Sequence, residues 1–266
     1  MRIAEIFRSL QGEGLLTGTP SVFVRASGCN LRCGFCDTPY TSWEPEGDDL
    51  SVEEILDLVE GLRITTGDFP MVAGNGKNLV VPNIAVRHPH PSPLPEGEGD
   101  ECCHAVLTGG EPMLFAELVP LAAALKERGM HITIETAGTL FLPIACDLMS
   151  ISPKLANSTP PPQRDLRWHH RHEQSRHAPD VVRQLVSQYE YQIKFVVGAP
   201  ADCDDVHRWL GEFPKVDRGR VLLMPEGTDL DVLNRIGQWL EPYCRQHGFQ
   251  FCPRKHIEWF GCVRGT

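Results

Sequence analysis

Ser21-Val-Phe-Val-Arg-Ala-Ser-Gly-Cys-Asn-Leu-Arg-Cys-Gly-Phe-Cys-Asp-Thr38 decides how this chain is read. Residues 21–27 are rich in β-branched and aromatic side chains and read as a strand. The strand runs straight into a loop that holds Cys29, Cys33 and Cys36 in C-x3-C-x2-C spacing. Thiolates this close suit a cubane iron–sulfur cluster in which one iron has no protein ligand. A structural zinc or cluster closes its shell with a fourth ligand, so an open iron points to chemistry on an external one. The plainer readings are a zinc knuckle completed by a distant His or Cys, and three unrelated buried thiols. Gly28, Asn30 and Gly34 allow the backbone to fold tightly around a bulky inorganic body, and Arg32 places positive charge beside an anionic one. Arg25 lies within the strand, as either a paired structural residue or a carboxylate binder.

The rest of the chain places limits on this loop. A length of 266 residues allows one sizeable core, and 41% hydrophobic with 23% charged residues is the composition of a soluble globular protein. A net charge of −10 argues against coating nucleic acid or binding an anionic membrane. The longest apolar run, Leu118 to Leu125, contains a proline and is too short to span a bilayer. The N-terminus, Met-Arg-Ile-Ala-Glu-Ile-Phe-Arg, lacks the apolar stretch of a signal peptide. Ten cysteines without an export signal do not read as a disulfide framework, so a reducing cytoplasm is the expected location.

Downstream, strand and helix patterns alternate about six times, which predicts a parallel sheet with crossover helices. Residues 51–62 read as an amphipathic helix with Ser51 and Glu54 as its capping box. Strands are expected at 104–108, 131–136, 147–151, 191–197 and 221–224, and helices at 112–128, 202–212 and 229–247. Two stretches break this rhythm within a single domain spanning 1–266: about 71–104, with the Pro- and Gly-rich run 87–100, and 157–180. The second carries three consecutive prolines followed by His169, His170, His172 and His177 among arginines. The arginines disfavour a divalent cation there, so a solvated or dimer-facing segment is expected. In parallel α/β folds ligand groups gather at the carboxyl ends of the strands. The polar groups here do so repeatedly: the cysteines, then Thr108 to Glu111, Glu135 and Thr136, and Ser152 to Lys154.

The cysteine spacing resembles the radical S-adenosylmethionine superfamily. Ser9-Leu-Gln-Gly-Glu-Gly14, Cys36-Asp-Thr38, Thr108-Gly-Gly-Glu-Pro112 and the Gln192–Lys194 strand together resemble the 7-carboxy-7-deazaguanine synthase family. The likeness covers most of the chain outside the two irregular stretches, and the ending from His256 resembles the tail of a longer subgroup. It implies a partial or modified (β/α)6-type TIM barrel with parallel strands, the radical S-adenosylmethionine core. It implies a carbon–nitrogen lyase of the queuosine route that cleaves S-adenosylmethionine with a reduced [4Fe-4S] cluster. The resulting 5′-deoxyadenosyl radical would take hydrogen from carbon 6 of 6-carboxy-5,6,7,8-tetrahydropterin. The ring would then contract with loss of ammonia, and the cofactor would be regenerated.

By the same resemblance Cys29, Cys33 and Cys36 hold the cluster. Phe35, Cys36, Asp37, Gly110, Ser152, Pro153, Lys154 and Gln192 contact S-adenosylmethionine, while Leu10, Gln11, Gly12, Arg25 and Thr108 bind the pterin. Thr38 ligates Mg2+, and Glu13 and Glu135 handle protons. A homodimer and a flavodoxin or ferredoxin electron donor are implied as well. Thr266 is given no role, because this tail is longer than that of shorter members. The rival readings are another radical enzyme of the superfamily, such as a glycyl-radical activase, and a non-catalytic zinc or iron–sulfur module. The rival enzyme would have no need of the Gln11–Arg25 pterin site.

Overall fold

The computed structural model describes residues 1–64, 71–73 and 102–265. The Pro- and Gly-rich run 87–100 lies outside them. In chain order the elements are β1 (Arg2–Leu10), β2 (Pro20–Ala26), β3 (Asp48–Asp49), α1 (Val52–Ile64), β4 (Met71–Ala73), β5 (His104–Gly109) and α2 (Leu118–Glu127). They continue with β6 (His131–Thr136), β7 (Leu148–Ile151), α3 (Leu166–Ser175), α4 (Pro179–Gln188), β8 (Tyr191–Val197) and α5 (Pro200–Gly211). The last are β9 (Val221–Pro225), α6 (Leu230–His247), β10 (Gln250–Phe251) and α7 (Lys255–Phe260).

One sheet runs in the order β10-β9-β8-β7-β6-β5-β2-β1-β3, with β4 also on β1. From β2 to β10 every neighbouring pair is parallel, and β1 is antiparallel to β2, β3 and β4. Among the described residues, six parallel strands of at least four residues, β2 and β5–β9, match the six expected repeats. Among the described residues the sheet stays open, ending at β10 and β3.

The two faces of the sheet differ in chemistry. Val22, Val24, Ala105, Leu107, Ile132, Ile134, Ile193, Phe195, Val221 and Leu223 join the helices in the main core. Side chains alternate along a strand, so the opposite face carries Phe23, Arg25, Thr108, Glu135, Ser150, Gln192 and Lys194. Its apolar floor is a separate small cluster of Phe7, Phe23 and Val106, with Phe7 and Phe23 stacked at 4.9 Å between centroids. Register aligns the polar set across the strands: Arg25 with Thr108, Glu135 with Ser150, and Ser150 with Gln192.

Helix α1 begins on the expected capping box, Ser51 Oγ accepting from Glu54 N at 3.2 Å and Glu54 Oε2 from Ser51 N at 2.8 Å. Two expectations change. The helix expected over 112–128 is a 3-10 turn, Pro112–Leu114, and then α2. Glu111 caps that turn, its carboxylate accepting from Met113 N at 3.2 Å, and the break comes at Phe115, whose backbone is extended (φ −110°, ψ 116°). The stretch 157–180, expected to be irregular, carries α3, which is capped by Asp165 Oδ1 accepting from Trp168 N at 2.9 Å. Its Leu-Arg-Trp-His-His-Arg-His sequence has no apolar stripe, and its anchors are polar and aromatic.

Candidate active site

The cysteine loop is fixed by the strand that feeds it and by the Gly-Gly turn beside it. Gly28 N donates to Thr41 O at 2.8 Å, and Glu111 N donates to Gly28 O at 2.9 Å. Gly109 has φ +128°, and a Cβ on Gly110 would lie 2.1 Å from Gly28 O. Only glycines let the turn after β5 pass so close to the cysteine loop. Glu111 is fully buried behind that turn, accepting from Thr136 Oγ1 at 2.8 Å and Ala137 N at 2.9 Å. It organises the wall and does not itself line the cavity.

A cavity of ≈ 490 Å³ opens at the carboxyl ends of the strands. Cys29, Cys33 and Cys36 all line it as free, half-buried thiols. Burial pushes the Cys29 thiol up to about 12 and the Cys33 thiol up to about 11, so binding a metal there releases protons. Among the described residues, no three His, Cys, Asp or Glu side chains gather into the shell of a single ion. Three free thiols from one short loop lining one cavity are a donor set that fits a cubane cluster, one thiolate to each of three irons. The histidines of 157–180 are engaged by other groups: His169 faces Pro160 O, His172 faces Ser158, and His177 faces Glu212.

The other half of the cavity is built from charges. Lys194 Nζ lies 3.1 Å from Glu13 Oε2 and 3.1 Å from Glu135 Oε1, and Thr108 Oγ1 donates to Glu135 Oε2 at 2.8 Å. Arg254 Nε donates to Glu13 Oε1 at 3.2 Å, and its Nη2 pairs with Asp37 Oδ2. Burial opposes charge on Glu13, but Lys194 and then Arg254 outweigh it and hold the carboxyl well below the usual carboxylate range. Burial likewise opposes the ammonium of Lys194, and Glu135 and Glu13 outweigh it and raise its pKa. Arg25 Nε donates to Glu5 Oε1 at 2.6 Å, and Tyr40 donates to the same oxygen at 2.8 Å. Lys154 Nζ donates to Ser152 Oγ at 2.8 Å. The lining holds Arg25, Lys154, Lys194, Arg254 and Arg264 against Glu5, Glu13, Asp37 and Glu135. That leaves a surplus positive charge in an otherwise acidic protein, the condition for drawing in an anionic ligand.

The structure brings Leu10, Gln11, Gly12, Glu13, Arg25, Cys29, Cys33, Phe35, Cys36, Asp37, Thr38, Thr108, Gly110, Glu135, Ser152 and Lys154 to one cavity wall. Pro153 and Gln192 are not among the lining residues. The Gln192 amide donates to Ser150 Oγ at 2.8 Å and accepts from Leu15 N at 2.8 Å, so it fastens the 10–14 loop from behind.

No protein-family model matches the chain. The 7-carboxy-7-deazaguanine synthase of Rhodopirellula baltica is 39% identical over 265 residues, covering 99% of this chain and 88% of the relative. The protein of the same name from Halobacterium salinarum is 37% identical over 264 residues, covering 96% of this chain and 88% of its own length. The chain belongs to the 7-carboxy-7-deazaguanine synthase family. QueE from Escherichia coli has the same fold, with a TM-score of 0.62 and 23% identity over 96% of this chain and 94% of that one.

The cavity of this family member also has lining residues that the sequence did not mark. Glu5, Tyr40, Arg254, His256 and Arg264 line the cavity beside the expected set. Lys255 N donates to Gly12 O at 2.9 Å, and a Cβ on Gly12 would lie 2.5 Å from His256 Cβ. The tail therefore lies directly on the 10–14 loop. Arg264 stacks on Tyr40 at 3.9 Å, pairs with Glu46 at 2.9 Å and reaches within 3.9 Å of Glu5. The visible signal was the cluster of charges in Arg254-Lys-His256, with nothing in the sequence to show what it faces.

Proposed function

We propose that the chain is a radical S-adenosylmethionine lyase that converts 6-carboxy-5,6,7,8-tetrahydropterin to 7-carboxy-7-deazaguanine with loss of ammonia. The observation that carries this is the single cavity in which three free thiols face a paired-charge array around Arg25, Glu13, Lys194 and Glu135. Family membership supports the substrate and product.

Cys29, Cys33 and Cys36 would hold the [4Fe-4S] cluster, and Gly110, Ser152, Lys154, Phe35 and Asp37 would hold S-adenosylmethionine. When bound, the reduced cluster supplies the electron for reductive cleavage of S-adenosylmethionine. Arg25 is held by one nitrogen on Glu5 and has others free to grip a carboxylate. Gln11 and Thr108 offer an amide and a hydroxyl to the pterin edge. Glu13, held ionised by Lys194 and Arg254, and Glu135 are the carboxylates that would handle protons. Thr38 would give Mg2+ one oxygen, the rest of its shell coming from substrate and water. The Thr41 hydroxyl donates to Thr38 O at 2.9 Å and lies 3.3 Å from the Thr38 hydroxyl.

A homodimer and a flavodoxin or ferredoxin reductant belong to the same reading. Among the described residues no helix is long and apolar enough to cross a membrane.

Anaerobically purified protein is expected to carry about four irons per chain. With reductant and S-adenosylmethionine it should turn the carboxytetrahydropterin into the deazaguanine. Formation of 5′-deoxyadenosine with the pterin untouched would move the assignment to another radical enzyme, and zinc without iron would move it to a non-catalytic module. Arg25→Ala should raise KM for the pterin about ten- to hundredfold, the loss of charged hydrogen bonds worth about 1.5–3 kcal/mol. Its iron content should stay at the parent level. An unchanged KM would remove Arg25 from the substrate site.

A further inference from the structure

Cys33 is held from outside the cavity by a segment that the reaction does not otherwise use. Arg32 N donates to His172 Nδ1 at 3.2 Å, and Gly34 N donates to Ser158 O at 2.8 Å. These are the backbone groups on either side of Cys33. The carbonyl of Cys33 accepts from Trp43 Nε1 at 3.0 Å. The Arg32 guanidinium stacks on Trp168 of α3 at 4.1 Å, and Arg164 stacks on Trp43 at 3.7 Å.

His172 is 0% exposed and has a defined tautomer. A backbone N–H can only donate, so Nδ1 facing Arg32 must be the bare acceptor nitrogen. The proton then sits on Nε2 and points to Ser158 Oγ, 2.9 Å away. Ser158 in turn donates its own proton to Leu155 O at 2.6 Å. Every polar atom of the relay is satisfied, and only by the neutral ring, whose pKa burial pushes down to about 4.

We propose that α3 and the 155–159 turn form a clamp on the cluster loop, with His172 as the positioning residue that fixes the Cys33 backbone and so keeps its thiolate on the cluster. The clamp rests on the cluster reading above. Partners beyond the ligands commonly set how firmly such centres are held. The histidine-rich stretch thus takes a role without binding metal itself.

The test compares the full-length parent, His172→Leu and His172→Asn, each reconstituted anaerobically with iron and sulfide. The readouts are iron released to a chelator over time, the visible and EPR spectra of the cluster, and amide exchange at Arg32 in the metal-free chain. Asn keeps an acceptor close to the position of Nδ1. We expect H172L to release iron at least about tenfold faster than the parent, with unprotected Arg32 exchange, a tenfold rate being worth about 1.4 kcal/mol. H172N should recover most of both. Should H172L fail to fold, Ser158→Ala removes the relay's hydroxyl while leaving the carbonyl on Gly34, and faster release is expected there too. Parent-like release from H172L, or from S158A in its place, overturns the clamp. So does H172N behaving like H172L with equal losses in melting temperature, which would make the histidine merely structural. A parent that takes up no iron overturns the cluster reading instead, and the clamp with it.

Discussion

Lys194→Met is expected to destabilise the folded chain by about 3 kcal/mol, the low end for a broken buried pair, because it strands two half-buried carboxylates without their shared cation. The side chain of Lys194 is 4% exposed, and its ammonium lies 3.1 Å from both Glu13 and Glu135. Methionine fills a similar volume without the charge. Glu135 would keep only the Thr108 hydroxyl, and Glu13 would keep Arg254. For a domain of this size the cost corresponds to a fall in Tm of roughly 6–12 °C. The pH dependence of the effect has a definite sign. The carboxyl of Glu13 is held below its ordinary value of 4.5, so its stabilising contribution is present above that pH and is lost only as pH falls through the lowered folded value. The ammonium of Lys194 is raised above its ordinary 10.5, so its contribution is fully present below 10.5 and is lost only as pH rises through the raised value. The Tm gap between parent and variant should therefore stay level from about pH 6 to 9. Below about pH 5 it should narrow, because the variant can relieve its unpaired carboxylates by protonating them. Thermal melts across that range check both statements, and a parent-like Tm at neutral pH would show that the triad does not hold the cavity together. Turnover should be lost along with the order of the two carboxylates.

The sequence reveals what is local. Val22 to Ala26 and Tyr191 to Val197 are legible as strands because parallel strands in the core read as nearly continuous apolar runs. Arg25, Gln192 and Lys194 stand out against those runs for the same reason. The capping box of α1 is legible because Ser51 and Glu54 interact across three residues. The cysteine spacing and the Gly-Gly turn are short enough to carry their own geometry. What stayed hidden is long-range or polar. Arg254 meets Glu13 across 241 residues, and no spacing rule announces such a pair. Glu5 looks like any charge on a first strand until hairpin pairing sets it opposite Arg25. Helix α3 has no apolar stripe because it docks through His172 and Trp168, so periodicity could not find it. Gln192 was expected on the cofactor, but its amide is taken up by Ser150 and by Leu15 N, a partner 177 residues away that no local pattern marks.

A chain ending at Lys255 is expected to keep its fold and lose about 10²-fold or more in kcat/KM, the penalty of a substrate that is no longer held in line. This truncation spares Arg254 with its bonds to Glu13, Asp37 and Gly227 O, and it spares Lys255 N on Gly12 O. The core clusters contain nothing beyond residue 252, but the buried Ile257 goes with the tail at a cost of about 1.5–3 kcal/mol, so the melting temperature should fall by roughly 3–12 °C. What disappears is His256 and the Gly261–Gly265 wall, with the Arg264 stack on Tyr40 that holds this wall against β1. The cavity would then be open to water beside the bond-breaking step, and a closed site normally prevents that leak. The consequence is specific: S-adenosylmethionine cleavage should continue, but 5′-deoxyadenosine should accumulate faster than deazaguanine. Arg264→Ala should shift the ratio in the same direction by a smaller amount, because it loosens the wall without removing it. Measuring deoxyadenosine and deazaguanine in one reaction separates this outcome from loss of the cluster, which would stop both. A truncated chain that keeps the parent ratio and the parent KM would show that the tail covers the cavity without shaping it.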